Sequence, residues 1–363
     1  MKALLALEDG RVFSGCGFGC PGEAHGEVVF NTSMTGYQEI LTDPSYSGQM
    51  VAMTYPLIGN YGVNSQDIES NVPRASGFIV RERSPFCAHW RAEGTLDDYL
   101  AKHRILGLER VDTRALTKHI REKGAMRGVI STIDFDPHSL VEKARSSPLM
   151  EGRDLAGDVT TSRPYWWQKE GDITIAVVDC GVKYNILRHL SRRGCRVKIF
   201  PCTWSAKSVL SEKPDGILFS NGPGDPAALP YVVEVAREVI GKLPVFGICL
   251  GHQVVGQALG GKTYKLKFGH HGGNHPVKDL ATGRVSITTQ NHGFTLDRET
   301  LPHKDIVVTH INLNDQTLEG IRHTTLPVFS VQFHPEAGPG PNDTTYLFNQ
   351  FMTMVGEYHA KKE

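Results

Sequence analysis

The sequence predicts an α/β protein with two domains. The second contains a doubly wound, mostly parallel sheet, and the first is a separate mixed α/β domain rich in short strands. From residue 173 onward, apolar strand candidates alternate with helix candidates in four successive β-then-α steps. Such alternation is typical of a parallel sheet that helices cover on both faces. Residues 1–150 instead alternate short apolar runs with turns. The chain has 363 residues, 40% of them hydrophobic, which is enough for two cores.

The N-terminal domain is predicted to span residues 1–150. Its apolar runs predict strands at 2–7, 11–14, 27–31, 50–55 and 77–81, the first two joined in a hairpin. Helical periodicity predicts helices at 96–103 and 113–123. The polar segments 31–39 and 43–47 are predicted to be loops, either surface turns or the lining of a site. Residues 151–172 are irregular and polar, and they are predicted to be a linker.

The second domain is predicted to span residues 173–363. Its first half predicts strands at 173–180, 196–201, 216–220 and 243–248, and helices at 184–193, 205–212, 230–240 and 253–259. Later strands are predicted at 262–267, 284–289, 306–311, 318–323 and 328–333. Asp343 is predicted to cap a closing helix that runs to about residue 358.

Composition excludes several classes of function. Lys plus Arg and Asp plus Glu both number 39, and this balance argues against nucleic acid or an anionic membrane as the main partner. The seven cysteines are scattered without the spacing of a disulfide framework or a zinc ribbon, which indicates a reducing compartment. The apolar start of the chain meets Glu8 and Asp9 too early for a signal peptide. We therefore expect a soluble, cytoplasmic protein.

Two glycine patterns match nucleotide-binding motifs, but each lies in the wrong context. The first is Gly-x-Gly-x-x-Gly at 17–22, where a strand rather than a helix follows. The second is Gly-x-x-x-x-Gly-Lys-Thr at 256–263, where the helix precedes the glycines instead of following them. Its glycines are therefore interpreted as a helix C-cap, and no nucleotide site is predicted in this chain.

The segment Gly-Ile-Cys-Leu-Gly-His-Gln at 247–253 joins a predicted strand to a predicted helix. Gly-x-Cys-x-Gly at such a junction is the thiol counterpart of the Gly-x-Ser-x-Gly elbow, in which small neighbours allow a very tight turn. A thiol at a helix N-terminus is also stabilised as the reactive thiolate. Taken alone, Cys249 is equally well interpreted as a buried core cysteine.

A thiol nucleophile needs a base, and the base needs a group that orients it. His-Pro-Glu at 334–336 follows the predicted strand 328–333 and supplies both groups. Because the carboxyl ends of parallel strands gather at one edge of the sheet, His334 is expected to meet Cys249 there. Glu336 can then hydrogen-bond the far ring nitrogen.

The loop Ser-Asn-Gly-Pro-Gly-Asp-Pro at 220–226 follows another predicted strand and is expected at the same edge. Its backbone N–H groups, together with that of Leu250, are suited to bind a developing oxyanion. Alone, this loop would be interpreted as a plain turn.

These three motifs together resemble the signatures of the class I glutamine amidotransferases, in order, spacing and topology. Three further stretches, at 31–39, 267–276 and 290–294, resemble the family of carbamoyl-phosphate synthetase small subunits, so the resemblance spans nearly the whole chain. It implies a flavodoxin-like second domain. It also implies that the first domain forms the partner interface and contributes Ser45 to the pocket.

The resemblance implies a role for each site residue. Cys249 would attack the carboxamide of L-glutamine, His334 would protonate the departing ammonia, and Glu336 would orient His334. Gly222 and Leu250 would supply the N–H groups of the oxyanion hole. The residues implied in substrate binding are Ser45, Gly222, Gly224, Leu250, Gln253, Asn291, Gly293 and Phe294.

The implied partner is a large subunit that binds ATP and combines the ammonia, delivered through a tunnel, with bicarbonate for arginine and pyrimidine biosynthesis. ATP, bicarbonate and magnesium would be used there, and no cofactor is expected in this chain. The histidines His270, His271, His275 and His292 lie in a glycine-rich loop pattern without acidic or thiol ligands, and no metal site is predicted.

Two other functions fit parts of the sequence. A free-standing γ-glutamyl hydrolase or cysteine peptidase would use the same Cys-His-Glu arrangement, but it leaves residues 1–150 without a role. A non-catalytic regulatory scaffold would not need an intact set of three catalytic residues.

Overall fold

The computed structural model describes residues 1–302 and 304–361. These residues form two compact units. Unit 1 comprises Met1–Met150 with Lys267–Gly272, and unit 2 comprises Glu151–Leu266 with Gly273–Glu363. Within the described residues, no helix combines the length and the apolar character that a membrane crossing requires.

Unit 1 is built on a closed barrel of strands in the order β1-β2-β8-β6-β4-β3-β9. A small separate sheet pairs β5 with β7. The strands are β1 (Lys2–Leu7), β2 (Val12–Gly19), β3 (Glu23–Asn31), β4 (Gln49–Met53), β5 (Leu57–Ile58), β6 (Gly77–Ile79), β7 (Glu82–Arg83), β8 (Leu106–Glu109) and β9 (Met126–Ser131). The helices are α1 (Tyr37–Thr42), α2 (Leu96–Lys102), α3 (Thr113–Lys123) and α4 (Pro137–Ser146).

The first strand illustrates how the barrel is packed. Side chains of a strand point alternately to its two faces. Ala3, Leu5 and Leu7 enter one buried cluster, in the barrel. Leu4 and Ala6 enter another, which includes Leu140 and other residues of α4. Both faces of β1 are therefore covered, which explains why its sequence is a continuous apolar run.

The predicted strands and helices of unit 1 are present with shifted ends. Sequence reasoning missed β8, β9 and α4, which the barrel and its covering helix require. It also assigned 31–39 to a loop, whereas α1 begins at Tyr37. The preceding Gly36 has a φ of 83°, a left-handed conformation that suits glycine and sets the entry to this short helix.

The segment 151–172, predicted to be a linker, is grouped with unit 2 and contains regular structure. It includes α5 (Ala156–Val159) and β10 (Tyr165–Gln168). β10 pairs antiparallel with β12 at the edge of the large sheet. Trp166 packs against the cationic side chains of Arg196 and Lys198, and these contacts help to hold the polar segment against the sheet.

Unit 2 contains a sheet of ten strands in the order β10-β12-β11-β13-β14-β19-β18-β17-β15-β16. The remaining strands are β11 (Ile173–Asp179), β12 (Cys195–Pro201), β13 (Gly216–Phe219), β14 (Val245–Ile248), β15 (Lys262–Asp279), β16 (Val285–Asp297), β17 (Ile306–Asn312), β18 (Leu318–His323) and β19 (Val328–Val331). The helices are α6 (Tyr184–Ser191), α7 (Ala206–Leu210), α8 (Pro230–Val239), α9 (Leu250–Ala258) and α10 (Tyr346–Ala360).

The predicted doubly wound sheet is confirmed in the centre of unit 2, where β12, β11, β13, β14 and β19 run parallel. Residues of α8 and α9 pack on one face and residues of α6 and α10 on the other. An antiparallel extension continues from β19 through β18 and β17 to β15.

The cap predicted for the closing helix is wrong. Helix α10 begins at Tyr346, and its N-cap Thr345 makes no side-chain capping bond. The Asp343 carboxylate instead accepts a hydrogen bond from the N–H of Ile287, at 3.1 Å. Asp343 therefore ties the start of β16 to the chain before the helix.

Candidate active site

Cys249 lies in a sharp turn between the end of β14 and the start of α9. Its φ of 55° and ψ of −107° are strained for a residue with a side chain, as expected of a nucleophile elbow. A Cβ on Gly251 would lie 2.1 Å from the carbonyl oxygen of Phe219, and one on Gly247 would lie 2.6 Å from that of Gly251. Only glycine fits on either side of the cysteine.

Replacing Gly251 by alanine is expected to lower the free energy of unfolding by at least about 2 kcal/mol, because the new methyl group collides with rigid backbone. Gly356→Ala is the matched control, since Gly356 lies in α10 with no atom within 4 Å of its added Cβ. The control should gain about 0.5–1 kcal/mol. Urea denaturation of both variants measures the difference, and equal effects would contradict the packing argument.

His334 is placed by strand pairing. Ile248 of β14 is in register with Val331 of β19, and the N–H of Cys249 donates to the carbonyl of Val331 at 2.9 Å. The chain then continues for three residues to His334, whose own N–H donates to Thr289. The two parallel strand ends thus bring the thiol and the imidazole to one edge of the sheet, as the sequence predicts.

The ring of His334 is oriented by Glu336, whose Oε1 lies 2.6 Å from Nδ1. A proton on Nδ1 therefore donates to the carboxylate, and Nε2 is left for the thiol. The exposures of Cys249, His334 and Glu336 are 2%, 1% and 0%. Water screening at this group is consequently weak, and its charges interact strongly.

Lys183 is a member of the site that sequence reasoning missed. Its side chain is 1% exposed, and Nζ lies 3.0 Å from Oε1 of Glu336. Nζ also donates to the carbonyl of Ala337 at 2.6 Å. Lys183 lies between β11 and α6. Its position after a parallel strand is the one feature of the sequence that could have indicated a place at the site.

The buried charges shift the pKa values of the site. Burial disfavours the charged ring of His334, but the Glu336 carboxylate and the Cys249 thiol outweigh it and raise the pKa of His334 to about 10. Burial would raise the pKa of Glu336, but Lys183 and His334 outweigh it and lower that pKa to about 2. At neutral pH the site therefore holds an imidazolium, a carboxylate and an ammonium group.

The raised pKa of His334 predicts a pH-dependent contribution to stability. It should be fully present below about pH 6.5 and decline as the pH rises through about 10, because the folded state retains a proton that the unfolded state releases. The free energy of unfolding of the wild type, minus that of His334→Asn, should therefore decrease from pH 6.5 to 10. Urea denaturation across this range measures it. A constant difference would contradict the assigned protonation.

The loop at 220–226 lies beside the elbow. A Cβ on Gly222 would stand 2.8 Å from the Leu250 side chain, so the two predicted oxyanion-hole residues are neighbours. Gly224 has a φ of 92° and lies against the backbone of Arg153. The N–H of Leu250 belongs to the first turn of α9, where N–H groups lack partners within the helix.

Three of the residues implied in substrate binding are linked to the elbow. The sulfur of Cys249 lies 3.5 Å from the carbonyl oxygen of Asn291. The Gln253 amide donates to the carbonyl of Phe294 at 2.6 Å. Gly293 lies between Asn291 and Phe294 in the sequence, and an added Cβ there would have no atom within 4 Å.

Ser45 belongs to unit 1, in a short 3-10 turn whose cap is Asp43. Its N–H donates to the Asp43 carboxylate at 2.9 Å. Its role in the pocket stays a prediction.

Two family models match the chain. Residues 176–354 match "Glutamine amidotransferase class-I", and residues 5–130 match "Carbamoyl-phosphate synthase small chain, CPSase domain". The second match lies within unit 1, and the first lies in unit 2 except for residues 267–272, which belong to unit 1.

Curated relatives match over almost their full length. A carbamoyl phosphate synthase small chain of Syntrophotalea carbinolica is 56% identical, covering 98% of this chain and 98% of the relative. Proteins of the same description from Akkermansia muciniphila and Aquifex aeolicus are 53% and 52% identical, with 98% and 97% of this chain covered and 98% of each relative.

Proposed function

Because this chain is a glutamine amidotransferase of the carbamoyl phosphate synthase small-chain family, we propose that Cys249 cleaves L-glutamine and that the ammonia passes to a large subunit. The observation that carries the proposal is the buried group of Cys249, His334 and Glu336 at the ends of β14 and β19. Acyl transfer by a thiol needs a base beside the nucleophile and a group that orients the base, and Cys249, His334 and Glu336 supply these three groups.

The first half of the reaction forms a thioester. In the ion-pair form, Cys249 has given its proton to His334, and the sulfur attacks the side-chain carbonyl carbon of glutamine. The carbonyl oxygen becomes an oxyanion, which the N–H groups of Gly222 and Leu250 stabilise. The imidazolium of His334 then donates its proton to the amine as the carbon–nitrogen bond breaks, and ammonia leaves.

The second half releases glutamate. The neutral ring of His334 now accepts a proton from water, and the resulting hydroxide attacks the thioester carbon. The carbon–sulfur bond breaks, and Cys249 and His334 return to the ion pair. Glu336 holds the ring in one orientation through both halves, and Lys183 keeps Glu336 ionised.

The ammonia would be used by the partner. We propose that a large, ATP-binding subunit combines it with bicarbonate, using ATP and magnesium, to give carbamoyl phosphate for arginine and pyrimidine synthesis. No metal or cofactor is proposed for this chain. The expectation that no acidic side chain accompanies the histidines is wrong, because Glu319 lies beside His270 and His292. Both ring nitrogens of His292 nevertheless face oxygen atoms of Phe294 and Gln290, at 2.7 and 3.0 Å, and the Glu319 carboxylate accepts a hydrogen bond from the Gln290 amide. The free state of all seven cysteines supports a cytoplasmic location.

An isotope experiment tests both steps. The chain is reconstituted with the large subunit, and glutamine labelled with ¹⁵N in the amide is supplied together with unlabelled ammonium chloride. We expect the carbamoyl phosphate to carry the label, because ammonia passed directly does not mix with the solution. Dilution of the label to the bulk ratio would refute direct delivery. Hydrolysis of peptides but not of glutamine would refute the substrate.

A further inference from the structure

Two cysteines outside the proposed mechanism form a pair in unit 2. Val178 of β11 is in parallel register with Phe200 of β12, and Asp179 with Pro201. Cys180 directly follows Asp179, and Cys202 directly follows Pro201. Both cysteines are completely buried in the same cluster. Adjacent strands lie about 4.8 Å apart, within the range of about 4.4–6.8 Å that Cα atoms joined by a disulfide usually span.

The two thiols interact, since each of them shifts the pKa of the other. The interaction with Cys180 lowers the pKa of Cys202, and the same interaction acts together with burial to raise the pKa of Cys180. Cys202 is thus the better nucleophile of the pair. Its Sγ also lies 3.7 Å from the hydroxyl of Tyr231, a partly exposed residue whose movement would admit a small oxidant.

Cys180 is linked directly to the 220–226 loop. Its N–H donates to the hydroxyl of Ser220 at 3.0 Å. Its carbonyl oxygen lies 2.1 Å from the position of a Cβ on Gly222, which means that the two backbones are in close contact. Three residues later, the N–H of Lys183 donates to the side chain of Asn221 at 3.0 Å. A displacement of Cys180 would therefore also shift the 220–226 loop and Lys183, the residue that pairs with Glu336.

We propose that Cys180 and Cys202 form a reversible disulfide that acts as a redox switch on the glutaminase site, an inference that rests on the function proposed above. Closing the pair to a covalent sulfur–sulfur length of about 2.05 Å pulls Cys180 away from the Gly222 backbone. Because the N–H of Gly222 would stabilise the oxyanion, kcat should fall more than KM rises.

The oxidant we assign is hydrogen peroxide. The thiolate of Cys202 attacks one peroxide oxygen, a sulfur–oxygen bond forms, the oxygen–oxygen bond breaks, and the hydroxide that leaves becomes water. The sulfur of Cys180 then attacks the sulfenic sulfur. The disulfide forms, and the second oxygen leaves as water with the proton of Cys180. The two sulfurs lose two electrons in total and the peroxide gains them, and a thiol reductant reverses the change.

The test titrates hydrogen peroxide into the full chain reconstituted with its large subunit. The thiol state is read by alkylation under denaturing conditions and peptide mass mapping, which does not depend on activity. We expect a Cys180–Cys202 cross-link with the loss of two hydrogens, also in the Cys249→Ser variant. Glutamine hydrolysis by the wild type should fall about tenfold or more and return with dithiothreitol.

Cys202→Ser and Cys180→Ser separate this switch from oxidation of Cys249 itself. Either variant, when reduced, should hydrolyse glutamine and should lose activity only at the higher peroxide doses that oxidise Cys249. Cys195→Ser is the matched control, because Cys195 is equally buried in β12 but lies against Met352. This control should respond to peroxide as the wild type does.

Two results would overturn the proposal. The first is the absence of the cross-link at doses that already oxidise Cys249. The second is a cross-link that leaves the wild type and Cys202→Ser equally sensitive to peroxide. If the reduced wild type failed to hydrolyse glutamine at all, the proposed function would fail, while the mass mapping would still report on the thiol pair.

Discussion

Cys249→Ser is expected to lower glutamine-dependent carbamoyl phosphate synthesis by about four orders of magnitude or more. A serine hydroxyl in the strained elbow cannot form the thiolate–imidazolium pair with His334, and no other nucleophile is proposed to attack the amide. The measurement is synthesis by the reconstituted complex, with glutamine as the nitrogen source.

The same complex supplies the control for this prediction. Synthesis from free ammonium chloride should be unchanged in Cys249→Ser, because ammonia bypasses the thiol. The melting temperature of the variant should also stay close to that of the wild type, since oxygen replaces sulfur without adding volume. Retention of glutamine-dependent synthesis would show that Cys249 is not the nucleophile.

Lys183→Met is expected to lower the free energy of unfolding by about 3 kcal/mol, because it removes a buried cation from the Glu336 carboxylate. Methionine keeps much of the length of the side chain, so the loss reports the charge rather than the volume. Glutamine hydrolysis should fall as well, since Glu336 loses the group that most lowers its pKa. Urea denaturation and a glutaminase assay measure the two effects.

A double-variant cycle assigns the loss to the ion pair. Lys183→Met with Glu336→Gln should lose less stability than the two single variants added together, by about 0.5–3 kcal/mol. Lys198→Met is the control for removing a lysine, because Lys198 pairs with the exposed Glu212 at 2.6 Å. It should cost no more than about 1 kcal/mol. Strict additivity in the cycle would contradict the proposed coupling.

The arrangement of the catalytic candidates followed from the sequence because one rule of topology applies to it. Cys249 and His334 each follow an apolar run, and parallel strands place such positions at one edge. Lys183 satisfies the same condition, but a lysine after a strand is commonly solvated, and only the buried Glu336 beside it makes this one exceptional. Its importance could not be deduced without the packing.

The pairing of Cys180 with Cys202 also could not be predicted from the sequence alone. Cys180 and Cys202 were two of seven scattered cysteines, and their 22-residue separation matches no disulfide framework. Their proximity depends on the register between β11 and β12, which is set by the way the whole sheet packs. The linker prediction for residues 151–172 misses β10 for a related reason, since β10 has few local indications of a strand and is held by its neighbour β12.

The sequence by itself determined the alternation of strands and helices in unit 2, the glycine-flanked elbow and the identity of the thiol, ring and carboxylate, because each depends on neighbouring residues. Only the tertiary structure decided the closure of the barrel in unit 1, the burial of Lys183 beside Glu336 and the pairing of Cys180 with Cys202. Those features depend on contacts between residues far apart in the chain, and their energies arise only when water has been excluded.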